Sequence, residues 1–185
     1  MPQVGLGVWQ TPPEDTERAV ATALEAGYRH VDTAAGYFNE REVGKAVTAS
    51  GLAREDVFVT TKLRNAGQGY DSTLAAFDTS MKHLGFSGSA DYLDLYLIHW
   101  PMPAKNLFVD TFKAFAHLRD RGRIRSIGAI SNRNTCESWW TAPALFLRST
   151  RSSCTRYFSS GNCGKCMLGW ASRPRRGVRW GRDHC

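Results

Sequence analysis

Four residues of this chain have the types and the order in which a carbonyl could be reduced: Asp32, Tyr37, Lys62 and His99. Turning a carbonyl into an alcohol takes a hydride on carbon and a proton on oxygen, so an acid must stand beside that oxygen. A phenol is a weak acid, with an ordinary pKa of about 10. A neighbouring ammonium stabilises the phenolate, and a carboxylate beside the ammonium keeps it charged and oriented. On this reading Tyr37 is the proton donor, Lys62 its activator, Asp32 the partner of Lys62, and His99 the group that orients the substrate oxygen. Each also has a plain structural explanation, with Asp32 capping a turn, Tyr37 packing, Lys62 solvated and His99 a satisfied strand-end histidine. What separates the two readings is whether the fold brings all four to one place.

The elements that must position them follow from hydrophobic period and punctuation. Val4–Trp9 is a short apolar run, and Thr11-Pro12-Pro13-Glu14 is a helix start with Thr11 as its cap and proline in the first turn. Val20, Ala23 and Leu24 mark one face of that helix, and Gly27 ends it. Arg29–Thr33 reads as the next strand and Asn39–Ser50 as the next helix. The cycle repeats with a strand at Val57–Lys62, a helix striped by Leu74, Phe77, Met81 and Leu84 and stopped by Gly85, and a strand at Tyr92–Ile98. A helix carrying Phe108, Phe112 and Phe115 ends near Gly122, and Ser126–Ser131 is a fifth strand.

Strands and helices alternating in units of about 30 residues imply right-handed crossovers and a parallel sheet. Asp32, Lys62 and His99 then fall at the C-terminal ends of successive strands, which in a barrel is the catalytic rim. No G-x-G-x-x-G follows the first strand, against a dinucleotide-binding doubly wound sheet.

Three segments carry a family resemblance. GYRHVDTAAGYFNEREVG (Gly27–Gly44) resembles the first signature of the aldo-keto reductases, FVTTKL (Phe58–Leu63) the segment with the family's lysine, and YLDLYLIHWP (Tyr92–Pro101) the one with its histidine. The resemblance implies a (β/α)8 TIM barrel, NADPH as cofactor, a small carbonyl as substrate, and a tetrad of Asp32, Tyr37, Lys62 and His99. GRIRSIGAISN (Gly122–Asn132) resembles the second signature, in which Ser131 and Asn132, together with Asp32, would face the cofactor and the first two would hold its carboxamide. By the same analogy Trp9 and Trp100 line the substrate pocket, although each could equally be core. Arg133 stands where an aromatic is expected, and Phe38 where glycine is common. The flavour is that of small bacterial members such as the diketogluconate reductases.

The resemblance covers residues 1–132, about four and a half βα units of the eight that such a barrel needs. Beyond Asn132 the composition changes at once. The 53-residue tail, 133–185, holds ten Lys and Arg against two acids, all five cysteines and four of the six tryptophans, while the whole chain carries +7. An out-of-frame reading explains this. Trp170–Gly181 can be coded so that a displaced frame spells Gly-Ile-Ala-Thr-Glu-Ala-Trp-Ser-Pro-Leu-Gly, similar to the family's seventh strand. Leu147–Arg156 can likewise yield a segment similar to its sixth strand with a nicotinamide-binding glutamine. The domain reading is thus a partial barrel at 1–132 and a disordered, frameshifted tail at 133–185.

Under that reading Cys163-Gly-Lys-Cys166 and the terminal His184-Cys185 are accidental, although together with Cys154 they imitate a zinc site, and no metal is expected. The basic tail imitates a nucleic-acid footprint in the same way, and no nucleic-acid partner is expected. The opening residues lack a signal peptide, and no apolar run approaches the roughly 20 residues of a spanning helix. The expectation is a cytoplasmic protein without membrane contact, whose Met1 stands inside a longer frame. An intact member of the family would be monomeric. Half a barrel leaves sheet edges and inward apolar faces uncovered, so aggregation and impaired or absent activity are expected. The alternative function is a non-catalytic half-barrel whose basic tail binds an acidic partner or nucleic acid.

Overall fold

The computed structural model describes residues 1–132 and, in their backbone, two strands of the tail. Five strands, β1 (Leu6–Gly7), β2 (His30–Asp32), β3 (Phe58–Leu63), β4 (Leu93–Ile98) and β5 (Ile124–Asn132), alternate with four helices, α1 (Pro13–Glu25), α2 (Glu40–Ala49), α3 (Tyr70–Leu84) and α4 (Phe108–Asp120). Neighbouring strands are parallel in chain order, as the alternation requires. Asp32 lies opposite Thr60, and Lys62 opposite Leu97, so residues leaving β2, β3 and β4 at their C-terminal ends share one rim.

The element boundaries follow local chemistry. Gly85 takes a left-handed φ of 70° and donates its N–H to the Met81 carbonyl, which ends α3. The start of α1 differs from expectation, because Pro12 rather than Thr11 occupies the cap position and no side chain caps it. The extended Pro12 leads straight into Pro13, and the hydroxyl of Thr16 reaches back to the Pro12 carbonyl at 2.9 Å.

One continuous core joins sheet and helices. Tyr96 of β4 stacks between Phe77 of α3 and Phe115 of α4, with ring centroids 5.6 and 4.6 Å away. Val31, Val59, Ile98 and Ile127 bury beside Val20, Val43, Val47 and Leu84. At Gly44, a Cβ atom would stand 2.0 Å from the Leu84 carbonyl oxygen, so α2 meets the end of α3 only because that position has no side chain.

At the N-terminal end of β4, Asp94 is 2% exposed and holds two arginines, Arg54 at 2.9 Å and Arg125 at 3.1 Å. It also accepts the Val59 backbone N–H at 3.0 Å. Both guanidinium groups lie over the Tyr92 ring, 4.4 and 4.0 Å from its centroid. This cluster locks β3 to β4 at the end of the sheet opposite the rim.

In the tail, β6 (Cys154–Phe158) and β7 (Lys165–Ala171) form an antiparallel pair, and β7 lies antiparallel to β5. The backbone of β5 is therefore paired on both sides rather than left as an open edge, although the pairing does not continue the parallel βα rhythm. The rest of the tail, on which the expectation of disorder also falls, lies outside the described residues. Among the described residues, no helix is long and apolar enough to cross a membrane.

Candidate active site

The rim gathers the four residues singled out by their chemistry. Asp32 ends β2, Lys62 is the fifth residue of β3, and His99 follows β4 directly. Tyr37 comes from a 3-10 turn, Ala35–Tyr37, that leaves the end of β2 and folds back over the strand ends. Its closing hydrogen bond runs from the Tyr37 N–H to the Ala34 carbonyl, 2.8 Å.

Lys62 is the centre of the group. Its side chain is 5% exposed, and its ammonium donates to the Asp32 carboxylate, to the Thr33 carbonyl at 2.9 Å and to the Tyr37 hydroxyl at 3.3 Å. A buried ammonium needs partners for its three protons, and these three acceptors supply them. The ammonium also stands 4.9 Å from the Tyr37 ring centroid. His99 meets the same ring edge to face, with centroids 5.6 Å apart and planes at 81°, while its backbone N–H donates to the Leu63 carbonyl at 3.2 Å.

A second tyrosine near this end of the sheet is chemically different. Burial, reinforced by the Glu40 carboxylate, pushes the Tyr96 phenol far above its ordinary range, so it is a neutral core hydroxyl. Tyr37, by contrast, is half-buried, and its hydroxyl accepts from the Lys62 ammonium at 3.3 Å.

Phe38 explains the preference for glycine beside Tyr37. Its φ of 60° and ψ of 23° are left-handed, a conformation that a side chain disfavours. Its ring is 69% exposed and covered on one side by the Arg64 guanidinium, 4.9 Å from the centroid.

Trp9 and Trp100 both emerge at the rim, after β1 and β4, and both are exposed. Neither is a core residue, which removes the packing alternative for each. Ser131 and Asn132 end β5. Since Ile98 pairs with Ala129, they run past the end of β4, where His99 and Trp100 follow, and on their other side they pair with Cys166 and Lys165 of β7. Their side chains lie outside the described ones.

Two supporting residues carry no signal in the sequence pattern. Glu40, 3% exposed at the start of α2, accepts from the Thr61 hydroxyl at 2.7 Å and faces His83 at 3.3 Å, which fixes α2 against β3 and α3. Gln68, 4% exposed, donates its amide N–H to the Trp100 carbonyl at 2.6 Å and so pins the loop after β4 to the one after β3. Both act across the fold, at separations of 21 to 43 residues, where no local spacing betrays them.

A carboxylate, a buried ammonium, a phenol and an imidazole at the C-terminal ends of parallel strands form an acid-base constellation. The model of the aldo/keto reductase family matches residues 2–139. The chain belongs to the aldo/keto reductase family. An aldo-keto reductase of Mycolicibacterium smegmatis is 71% identical over 132 residues, which make up 71% of this chain and 46% of that protein. The crystal structure of an aldo/keto reductase from Brucella melitensis is similar with a TM-score of 0.68 and 56% identity, covering 73% of this chain and 51% of that one. A mutant of Gox0644 crystallised in complex with NADPH is similar with a TM-score of 0.63 and 50% identity, covering 70% of this chain and 45% of that one. The chain spans about half the length of the curated relatives it matches. Its five parallel strands are the leading part of a (β/α)8 barrel.

Proposed function

We propose that this chain carries the carbonyl-reducing site of an aldo/keto reductase, acting on small aldehydes or ketones with NADPH. The observation that carries the reading is Lys62, whose buried ammonium is held by Asp32 and Thr33 and donates to the Tyr37 hydroxyl. Tyr37 gives its proton to the carbonyl oxygen, and Lys62 stabilises the negative charge left on the phenolate. Asp32 holds the ammonium in place. His99, in edge contact with Tyr37, directs the substrate oxygen toward the phenol. Trp9 and Trp100 present apolar surface to the carbon skeleton beside it.

NADPH would supply the hydride when bound. What supports the rim as the place for its nicotinamide end is that Ser131 and Asn132 run past the end of β4, where His99 follows, and that the Asp32 carboxylate is a third exposed. The later strands that hold the rest of the nucleotide in the intact family have no described counterpart here, so weakened affinity and low turnover belong to the proposal.

Fluorescence titration of NADPH with the purified 185-residue chain, followed by NADPH oxidation with a small aldehyde, tests it. Saturable quenching and aldehyde-dependent oxidation abolished by Tyr37→Phe are expected. Salt-sensitive binding to nucleic acid without quenching would favour the basic-tail alternative instead.

The frame reading of the tail is part of this proposal. What supports it is that the match to the Mycolicibacterium smegmatis relative spans 132 residues, the length over which the motifs run. Sequencing the gene across the Asn132 codon tests it. A reading in which no single displaced frame restores the sixth and seventh strands would sink it.

A further inference from the structure

Asn39 holds the cap position of α2, where an asparagine side chain ordinarily accepts a backbone N–H of the first helical turn. Here it makes no such cap. The residue is fully buried, and its amide turns inward. The side-chain oxygen accepts the Thr33 hydroxyl at 2.8 Å. The amide nitrogen donates to the Val8 carbonyl at 3.0 Å and to the Thr11 carbonyl at 3.2 Å, and contacts the Thr16 hydroxyl at 3.3 Å. Every polar atom of the side chain is used, and none of the bonds serves the helix that it begins.

The positions of these partners matter. Thr33 and Asn39 are the two ends of the segment that carries Tyr37, and their side-chain bond closes it into a loop. The carbonyl of the same Thr33 accepts the Lys62 ammonium, and its N–H donates to the Thr60 carbonyl at 2.9 Å. On the other side Val8 and Thr11 flank Trp9. One buried amide therefore ties the phenol-bearing loop, the residue that receives the ammonium and the loop of the exposed tryptophan into a single frame.

We propose that Thr33 and Asn39 form a clip that positions Tyr37 against Lys62 and His99, so that both are positioning residues of the reduction. The inference rests on the carbonyl-reducing role of Tyr37 proposed above. Without the Thr33 hydroxyl, the Asn39 oxygen is free to turn back and cap α2, and the Tyr37 loop loses its closure. A displacement of about an ångström at a proton donor costs on the order of a hundredfold in turnover without requiring weaker substrate binding.

Thr33→Val and Thr33→Ser in the full 185-residue chain test the clip. The first removes the hydroxyl at nearly constant volume, and the second keeps it. Thr33→Val should lower kcat on the order of a hundredfold with KM changed less than about threefold, and Thr33→Ser should restore most of kcat. The aromatic NOE between the Tyr37 and His99 rings provides a readout that does not depend on turnover. It should fade in Thr33→Val and return in Thr33→Ser, with circular dichroism of both variants matching the parent. Should the parent chain show no turnover, the NOE series alone decides the clip. Unchanged kcat in an active Thr33→Val chain, equal losses in the two variants, or an NOE unaltered in Thr33→Val would overturn it. If Thr33→Val does not fold, Thr33→Ala replaces it with the same expected outcomes.

Discussion

The Lys62 ammonium donates to the Tyr37 hydroxyl at 3.3 Å from a side chain that is 5% exposed. A cation kept this dry is costly to the fold, since its desolvation opposes the attraction to Asp32. Activity and stability should therefore separate on its removal. Lys62→Met is expected to lower kcat/KM about 10²- to 10⁴-fold while leaving the urea midpoint unchanged or raised. Steady-state kinetics beside a urea titration checks both; a variant that loses stability and activity in parallel would mean that Lys62 is chiefly structural.

The Asp94 cluster should respond in the opposite way. Asp94 is buried with Arg54, whose side chain is 11% exposed, and with Arg125, whose side chain is 49% exposed. Replacing Arg54 by alanine strands a buried carboxylate and is expected to cost about 3–5 kcal/mol. Arg125→Ala removes a half-solvated partner and should cost about 1 kcal/mol or less. Denaturant unfolding followed by circular dichroism compares the two, and equal costs would refute the assignment of Arg54 as the indispensable partner.

How far this molecule was legible in its sequence depends on the range over which each feature is determined. The strands and helices followed from local period and punctuation, so Gly85 and the striped face of α3 lie where the pattern puts them. The rim residues were legible because a parallel sheet sends every C-terminal strand end to one side. What the pattern could not show were side chains acting at a distance, such as Gln68 on the Trp100 carbonyl or Asn39 on that of Val8. Even locally, competition misled. Thr11 has the right type for a cap, yet a proline pair moved the helix start by one residue.

Gly44 opposes two principles directly. Alanine in a helix interior is ordinarily favoured over glycine by about 1 kcal/mol. Here its methyl would stand 2.0 Å from the Leu84 carbonyl oxygen, a backbone atom unable to yield without moving the end of α3. The steric term is expected to win, and Gly44→Ala should destabilise by about 1–3 kcal/mol. A higher melting temperature for Gly44→Ala would show that α2 and α3 can part without loss.

His30 should give the chain a pH-dependent loss of stability on the acid side. Its ring faces Thr60 at 3.1 Å and packs edge-on against Phe58, 5.1 Å between centroids. Burial lowers its pKa below the ordinary 6.5, and the opposing pull of the Asp32 carboxylate does not cancel that effect. Above 6.5 the imidazole is neutral in both folded and unfolded chains, so it adds no pH dependence. As the pH falls through 6.5 the unfolded chain takes up a proton that the folded one resists, and stability drops until the lower folded value is reached. His30→Gln removes this contribution. Urea midpoints measured from about pH 7 to about pH 5 should therefore fall more steeply for the parent than for His30→Gln. Parallel slopes would show that the buried imidazole is protonated as easily as a free one.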